Sequence, residues 1–158
     1  MTVSIVPATD ADRPVVANLI QLYLYDMTDS LPFPVGSDGR FEYDFFERFW
    51  QHPYLIHVDD ELAGFAFVID ESPVTGAARH FMAEFFVLKA YRGRGVGRQA
   101  AEAILARHPG PWQLAVITQN AAASAFWASV LAPRAITPFP HRFDGEDWQV
   151  YDFDVTSR

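Results

Sequence analysis

Apolar positions recur along the chain in two rhythms, every third or fourth residue and every second. Ser4 to Val6 reads as a short strand ended by Pro7. Asp10 or Asp12 can cap a helix, and Pro14 falls in its first turn, where a missing N–H costs nothing. Val15, Val16, Leu19, Ile20, Leu22 and Tyr23 then keep helical spacing to about Tyr25. Ser30 to Gly39 is rich in Pro, Gly, Asp and Ser and predicts a loop. Phe45, Phe46, Phe49 and Trp50 predict a second helix, stopped by Pro53. Tyr54 to Val58 and Leu62 to Ile69 read as strands joined in a hairpin at Asp59-Asp60-Glu61. A turn over Ser72 to Gly76 leads into an aromatic-rich strand, His80 to Leu88.

The second half repeats the alternation. Gly93 to Gly97 opens a helix with the stripe Val96, Ala100, Ala103 and Ile104, ended near His108-Pro109-Gly110. Trp112 to Thr118 is a strand. Asn120 caps a further helix with Ala122, Ala125, Phe126, Ser129 and Val130 on one face, and Pro133 lies past its end. Ala135 to Phe143 and Trp148 to Val155 read as strands around Asp144-Gly145, a common hairpin dipeptide. The order predicts one α/β domain over residues 1–158, without repeat, linker or low-complexity segment.

Composition narrows the function. With 158 residues, half of them hydrophobic, the chain can bury a core without staples. It has no Cys, which excludes disulfides, thiolate catalysis and Cys-ligated metal. His52, His57, His80, His108 and His141 show no metal spacing, so no metal is expected. The longest apolar run, Leu62 to Ile69, is too short to cross a bilayer, so no membrane role is expected. The first seven residues lack the basic start of a signal peptide, and the expected compartment is cytoplasmic. A net charge of −8 argues against nucleic-acid binding. Yet Lys89, Arg92, Arg94 and Arg98 crowd into one short stretch, which is either a solvated charge run or an anion site.

The glycines between these charges favour the anion site. Phe85-Phe86-Val87-Leu88 runs as a strand into Lys89-Ala90-Tyr91-Arg92-Gly93-Arg94-Gly95-Val96-Gly97-Arg98 and then a helix. A helix start has free N–H groups and partial positive charge. Glycine lets an anion approach the backbone closely, and Arg adds charge-assisted hydrogen bonds. The dinucleotide fingerprint fails because Arg98 stands where its third glycine belongs. The triphosphate loop fails for want of Gly-Lys-Ser/Thr.

The spacing Arg92-x-x-Gly95-x-Gly97 resembles the acetyl-CoA signature of the GNAT superfamily of N-acetyltransferases. Asn120-Ala121-Ala122-Ala123-Ser124-Ala125-Phe126-Trp127 is similar to that family's second segment. The order of elements matches over essentially the whole chain. Tyr23-Leu24-Tyr25-Asp26, Ala63-Gly64-Phe65 and Glu84-Phe85-Phe86-Val87 look like a bacterial group of acetyltransferases without assigned substrate. The resemblance implies a mixed, mostly antiparallel sheet of about seven strands flanked by about four helices. It implies acetyl-CoA as co-substrate and an amine acceptor.

It also implies site roles. The fourth strand splays from the fifth, and the pantetheine arm pairs with backbone groups of Phe85, Phe86 and Val87. The pyrophosphate lies on the N–H groups of Gly93, Arg94, Gly95, Val96, Gly97 and Arg98, with Arg92 in the same turn. Asn120 meets the pantetheine or acyl end, or is a helix cap, or both. Trp127 stands where many members have a Tyr acid. An indole N–H cannot release its proton at useful pH, so Trp127 packs against coenzyme A, steadies the thiolate, or fills the core. Glu84 is the candidate base, since an amine acceptor arrives mostly protonated. The competing account pairs Glu84 with Arg79 or a tail residue. Asp26 and Tyr25 are placed beside the acceptor loop, Asp26 to hold a cationic substrate or as plain surface; Tyr23 and Tyr25 alternate, so at most one reaches the pocket.

Two function classes follow. One is an N-acetyltransferase working by direct transfer. The other is an acyl-CoA-binding sensor or partner module without turnover, which the Trp at 127 supports. Negative net charge favours a cationic acceptor, whether small molecule or peptide, through steering. The tail strands either finish the sheet or pair with a second subunit as a homodimer.

Overall fold

The computed structural model describes residues 1–157. Its elements run β1 (Val3–Pro7), α1 (Arg13–Met27), α2 (Phe46–Phe49), β2 (His52–Val58), β3 (Glu61–Ile69), β4 (His80–Val87), α3 (Val96–Arg107), β5 (Gly110–Ile117), α4 (Ala121–Leu131), β6 (Phe139–Phe143) and β7 (Glu146–Val155). All seven strands form one sheet in the order β1-β2-β3-β4-β5-β7-β6. Every neighbouring pair is antiparallel except β4 with β5. The mixed α/β architecture with seven strands and four helices is thus the one expected.

Both sheet faces are covered, which explains the unbroken apolar run of the central strand. Along β3, Phe65, Phe67 and Ile69 pack toward Val16, Leu19, Ile20 and Leu24 of α1. Ala66 and Val68 pack the other way, with Val96, Ala100 and Ile104 of α3 and Trp127 and Val130 of α4.

Several boundaries and faces differ from the sequence reading. The helix expected around Phe45 to Trp50 is a single turn, because its aromatic residues stack on one another (Phe46 on Trp50, Phe45 on Phe49) and Pro53 already belongs to β2. In α3 Ala101 and Leu105 are buried and Ala103 is exposed. In α4 the buried face is Trp127, Val130 and Leu131, while Ala125 and Ser129 face out. Runs of alanine carry no strong stripe, so the larger residues set the orientation. The tail strand begins only at Phe139, after a turn through Ala135 with positive φ. Strand β7 pairs with β5 along its length and so finishes the sheet, leaving β6 at the edge.

The break in the sheet positions the site. Strands β4 and β5 are paired only at His80 with Trp112 and Phe81 with Gln113. Beyond that point they diverge, and the backbone from Glu84 to Val87 is not paired with β5. Strand β4 also carries a bulge. Phe67 lies opposite Glu84 and Val68 opposite Met82, so Ala83 is an extra residue.

Candidate active site

The bulge sets which way Glu84 faces. In a regular strand Glu84 would share a face with Met82, which packs on the α3 side. The extra residue turns Glu84 to the α1 side instead, the side of Phe81 and Phe86. There its carboxylate accepts hydrogen bonds from the Tyr23 hydroxyl (3.3 Å) and the Tyr43 hydroxyl (3.0 Å). Arg79 donates elsewhere, to the Trp112 carbonyl, and among the described residues no tail side chain bonds to Glu84. The expected partner is therefore replaced by two tyrosines. Burial pushes the Glu84 carboxyl up to about 7, and the two tyrosine hydrogen bonds hold it from rising further. Burial first, and the nearby Glu84 charge second, push both tyrosines upward, so they remain protonated donors.

Tyr23 is held by α1, its ring edge-on to Phe65 and tilted against Phe86. Tyr43 comes from the loop between α1 and α2. Nothing in the sequence pairs Tyr43 with a carboxylate 41 residues away, and it is the site residue that sequence reading missed.

Two cavities meet at this point. The larger, about 780 Å³, lies between the end of α1, the loop over residues 31–45, the diverging strands and the β6–β7 hairpin. Glu84 is in its wall. The smaller, about 430 Å³, runs from Phe85, Phe86 and Val87 to the glycine turn and the start of α4. Met27, Asn120, Ala123 and Trp127 line both.

The glycine turn presents a run of backbone N–H groups in an unusual conformation. Gly93 and Gly95 have φ of +81° and +78°, a conformation that other residues adopt only with strain. Gly95 is the residue just before α3. Among the described residues, the backbone N–H groups of Gly93, Arg94, Gly95, Val96, Gly97 and Arg98 donate to no carbonyl or side chain. Gly97 has a different reason to be glycine. A Cβ there would lie 2.8 Å from the Phe126 ring, which stacks on Phe85. The arginines divide the work. Arg92 donates to the Val87 carbonyl at 2.8 Å and holds Asp26 with both terminal nitrogens. Arg98 bonds the Ser129 carbonyl at 3.2 Å and its hydroxyl, tying α3 to α4. Arg94 has no carboxylate partner among the described residues.

Asn120 caps α4 by accepting from the Ala123 N–H at 3.1 Å, and it also faces both cavities. Trp127 is buried, edge-on to Phe85. Asp26 lines the smaller cavity, beside Arg92 and Lys89, and not the larger one. Tyr25 is exposed and lines neither, because it sits about 200° around α1 from Tyr23. Helix geometry sends Tyr25 outward, and Arg92 draws Asp26 to the turn, so neither of these two expected acceptor-side residues lines the larger cavity. Among the described residues no group of His, Cys, Asp or Glu side chains is arranged to hold a metal ion, and no helix is long and apolar enough to cross a membrane.

Known proteins share this fold. No curated protein sequence matches the chain. An acetyltransferase from Thermus thermophilus superposes with a TM-score of 0.67 at 19% identity, covering 98% of each chain. The ribosomal-protein-S18-alanine N-acetyltransferase from Escherichia coli does so at 0.61 and 17%, covering 99% of this chain and 96% of its own. The structure of yncA from Salmonella typhimurium with its cofactor acetyl-CoA gives 0.62 and 14%, covering 100% and 96%. At these identities the likeness establishes the fold. The sequence itself matches the model of the Acetyltransferase (GNAT) family over residues 20–131, which takes in the second half of α1, the tyrosine-bound Glu84, the glycine turn and α4. With more than half its length matched, the chain belongs to that family of acetyltransferases.

Proposed function

We propose that the protein transfers an acetyl group from acetyl-CoA directly to an amine, with Glu84 as the base. The observation that carries this reading is the junction of the two cavities at Met27, Asn120, Ala123 and Trp127, beside a carboxylate whose pKa is close to neutral.

The residues present fit acetyl-CoA. The unpartnered N–H groups from Gly93 to Arg98 suit a pyrophosphate, with Arg94 as the cation beside them. The backbone of Phe85, Phe86 and Val87, unpaired with β5 and with only the Val87 carbonyl taken by Arg92, suits the amide groups of a pantetheine arm. Acetyl-CoA would supply the activated acyl group. The chain's own part is to orient, to exclude water and to move a proton. Glu84, unprotonated in half of the molecules near neutral pH, accepts a proton from the incoming amine at a carboxylate oxygen. Tyr23 and Tyr43 fix that carboxylate toward the cavity. Asn120 holds the start of α4 at the junction. Trp127 serves as packing and hydrogen-bond donor, since an indole releases no proton at useful pH. The chain has no cysteine to carry an acyl-thiol intermediate, in keeping with direct transfer. The compartment expected with this activity is the cytoplasm.

Free thiol released from acetyl-CoA in the presence of an amine panel, together with calorimetry of coenzyme A binding, tests the reading. Binding with thiol release supports it. Binding without release for any amine favours the acyl-CoA-binding module. Gly95→Glu should abolish binding by putting a side chain and a negative charge over the N–H groups; unchanged affinity in a folded variant overturns the assignment of the turn.

A further inference from the structure

Among the described residues ten large apolar side chains are conspicuously exposed, and they are not scattered evenly. Phe33, Val35, Phe45 and Phe143 are 37%, 52%, 46% and 40% exposed, and all four line the larger cavity. A soluble chain seldom gathers exposed aromatic and branched side chains around one opening unless something apolar is bound there. They come from two separate elements, the loop over residues 31–45 and the β6–β7 hairpin, so no single local sequence bias explains the cluster.

Charge is arranged differently in the same cavity. Its deep wall holds one carboxylate, Glu84, already hydrogen-bonded by two tyrosines. The other charged groups, Glu42, Asp44, Asp144 and Arg48, are exposed at the rim. The rim therefore carries three negative charges against one positive and attracts a cation. Past the rim, apolar walls leave room for one positive charge, the one that Glu84 meets. A second or third charge on the same molecule would be stripped of water with no partner, which is costly.

We infer that the acceptor is a monoamine: one primary amine on a bulky apolar body, held by the Phe33–Val35–Phe45–Phe143 walls with its nitrogen at Glu84. This rests on the acetyl-transfer reading above and refines it against the polycationic acceptors that net charge alone suggests. A free hydrophobic amine and a peptide with an apolar first residue share this chemistry.

The test uses the full chain with acetyl-CoA and four amines. These are 2-phenylethylamine, a short peptide beginning with Phe, spermidine and an aminoglycoside. Binding is read separately, by the shift in melting temperature that each amine produces with coenzyme A bound. The expected result is a kcat/KM for one of the first two at least tenfold above both polycations, with a matching thermal shift. Preference for 2-phenylethylamine or for the peptide identifies the source. Phe143→Ser should then raise the KM of the preferred amine about tenfold or more, the scale of one lost aromatic contact, with kcat and melting temperature little changed. Equal or better turnover of spermidine or the aminoglycoside overturns the inference while leaving acetyl transfer standing. An unchanged KM in Phe143→Ser overturns it as well. Thiol release with no amine at all, and no thermal shift from any, overturns it together with the acetyl-transfer reading.

Discussion

Arg92 Nη2 lies 2.8 Å from Asp26 Oδ2, and Nη1 lies 3.3 Å from Oδ1, a two-pronged ion pair between the glycine turn and the end of α1. The same guanidinium donates to the Val87 carbonyl and lies over the Phe86 ring. One side chain thus joins the turn, the end of β4 and α1. Asp26, expected at the acceptor, is occupied in holding the glycine turn to α1.

Asp26→Asn should accordingly leave the KM of the amine unchanged and weaken coenzyme A binding a few-fold by loosening the turn. The loss of stability should be at most about 1 kcal/mol, because Arg92 is partly exposed. Steady-state kinetics with varied amine, calorimetry with coenzyme A and a denaturant melt measure the three quantities. A tenfold rise in amine KM would return Asp26 to the acceptor site.

The Glu84 carboxyl titrates at about 7 in the folded protein, against an ordinary value of 4.5. The rate should therefore rise with pH through an inflection near 7 as the carboxylate forms. Glu84→Gln should lower turnover by roughly 10²-fold or more, the scale of a lost base. Stability moves the other way. Between pH 4.5 and 7 the folded chain holds a proton that the unfolded chain has released, so wild-type stability falls as pH rises through that window. Gln carries no such penalty, and the variant should melt no lower than wild type at about pH 8. Tyr43→Phe removes a hydrogen bond that favours the carboxylate, so its rate inflection should move to higher pH. A large drop in melting temperature with full turnover per folded Glu84→Gln molecule would make the residue structural.

Gly97 separates a packing glycine from a conformational one. Its backbone is helical, so alanine is sterically allowed there, but the new Cβ would sit 2.8 Å from Phe126. Gly97→Ala should destabilise by about 1–3 kcal/mol through overpacking. Adding Phe126→Leu should restore much of that loss. Urea melts of the two variants and of Phe126→Leu alone check the coupling, and additive effects would show that the ring is not what excludes alanine.

His108 introduces a second pH dependence, remote from the site. Tyr54 Oη lies 2.6 Å from its Nε2, and the rings of His52 and His80 lie beside it. Burial, and then the charges of those two histidines, push it down to about 4 from 6.5. Between these values the unfolded chain takes up a proton that the folded chain refuses, so stability falls as pH drops through that window. Asp70, held low by His52 and His80, loses its contribution only below 3.8 and does not mask the effect. Glu84 acts in the opposite sense over much of the same window, so the two effects offset each other in the wild type. In a Glu84→Gln background the melting temperature should fall by a few degrees between about pH 7 and pH 5, and adding His108→Gln should flatten that slope. An equal slope in the variant would place the effect elsewhere.

Much of this molecule is local in origin. Amphipathic spacing delivers α1, and start and stop signals bound α3 and α4, whose buried faces the larger residues set. Apolar continuity delivers a fully covered β3, and the dipeptides at Asp59-Asp60 and Asp144-Gly145 deliver hairpins whose residues have positive φ. The glycine turn is equally legible, because its chemistry lies in consecutive backbone N–H groups, and Gly93 and Gly95 adopt the left-handed conformation that only glycine takes freely. The site around Glu84 is not local. An extra residue at Ala83 rotates the carboxylate from the α3 side to the α1 side, and an alternating pattern cannot reveal a bulge that its own residues do not mark. Tyr23, Tyr43 and Glu84 come together from positions up to 61 residues apart, and Asp26 meets Arg92 across 66. Such pairings depend on how the layers stack, since the strength of a buried carboxylate's hydrogen bonds is set by whichever groups packing delivers to it.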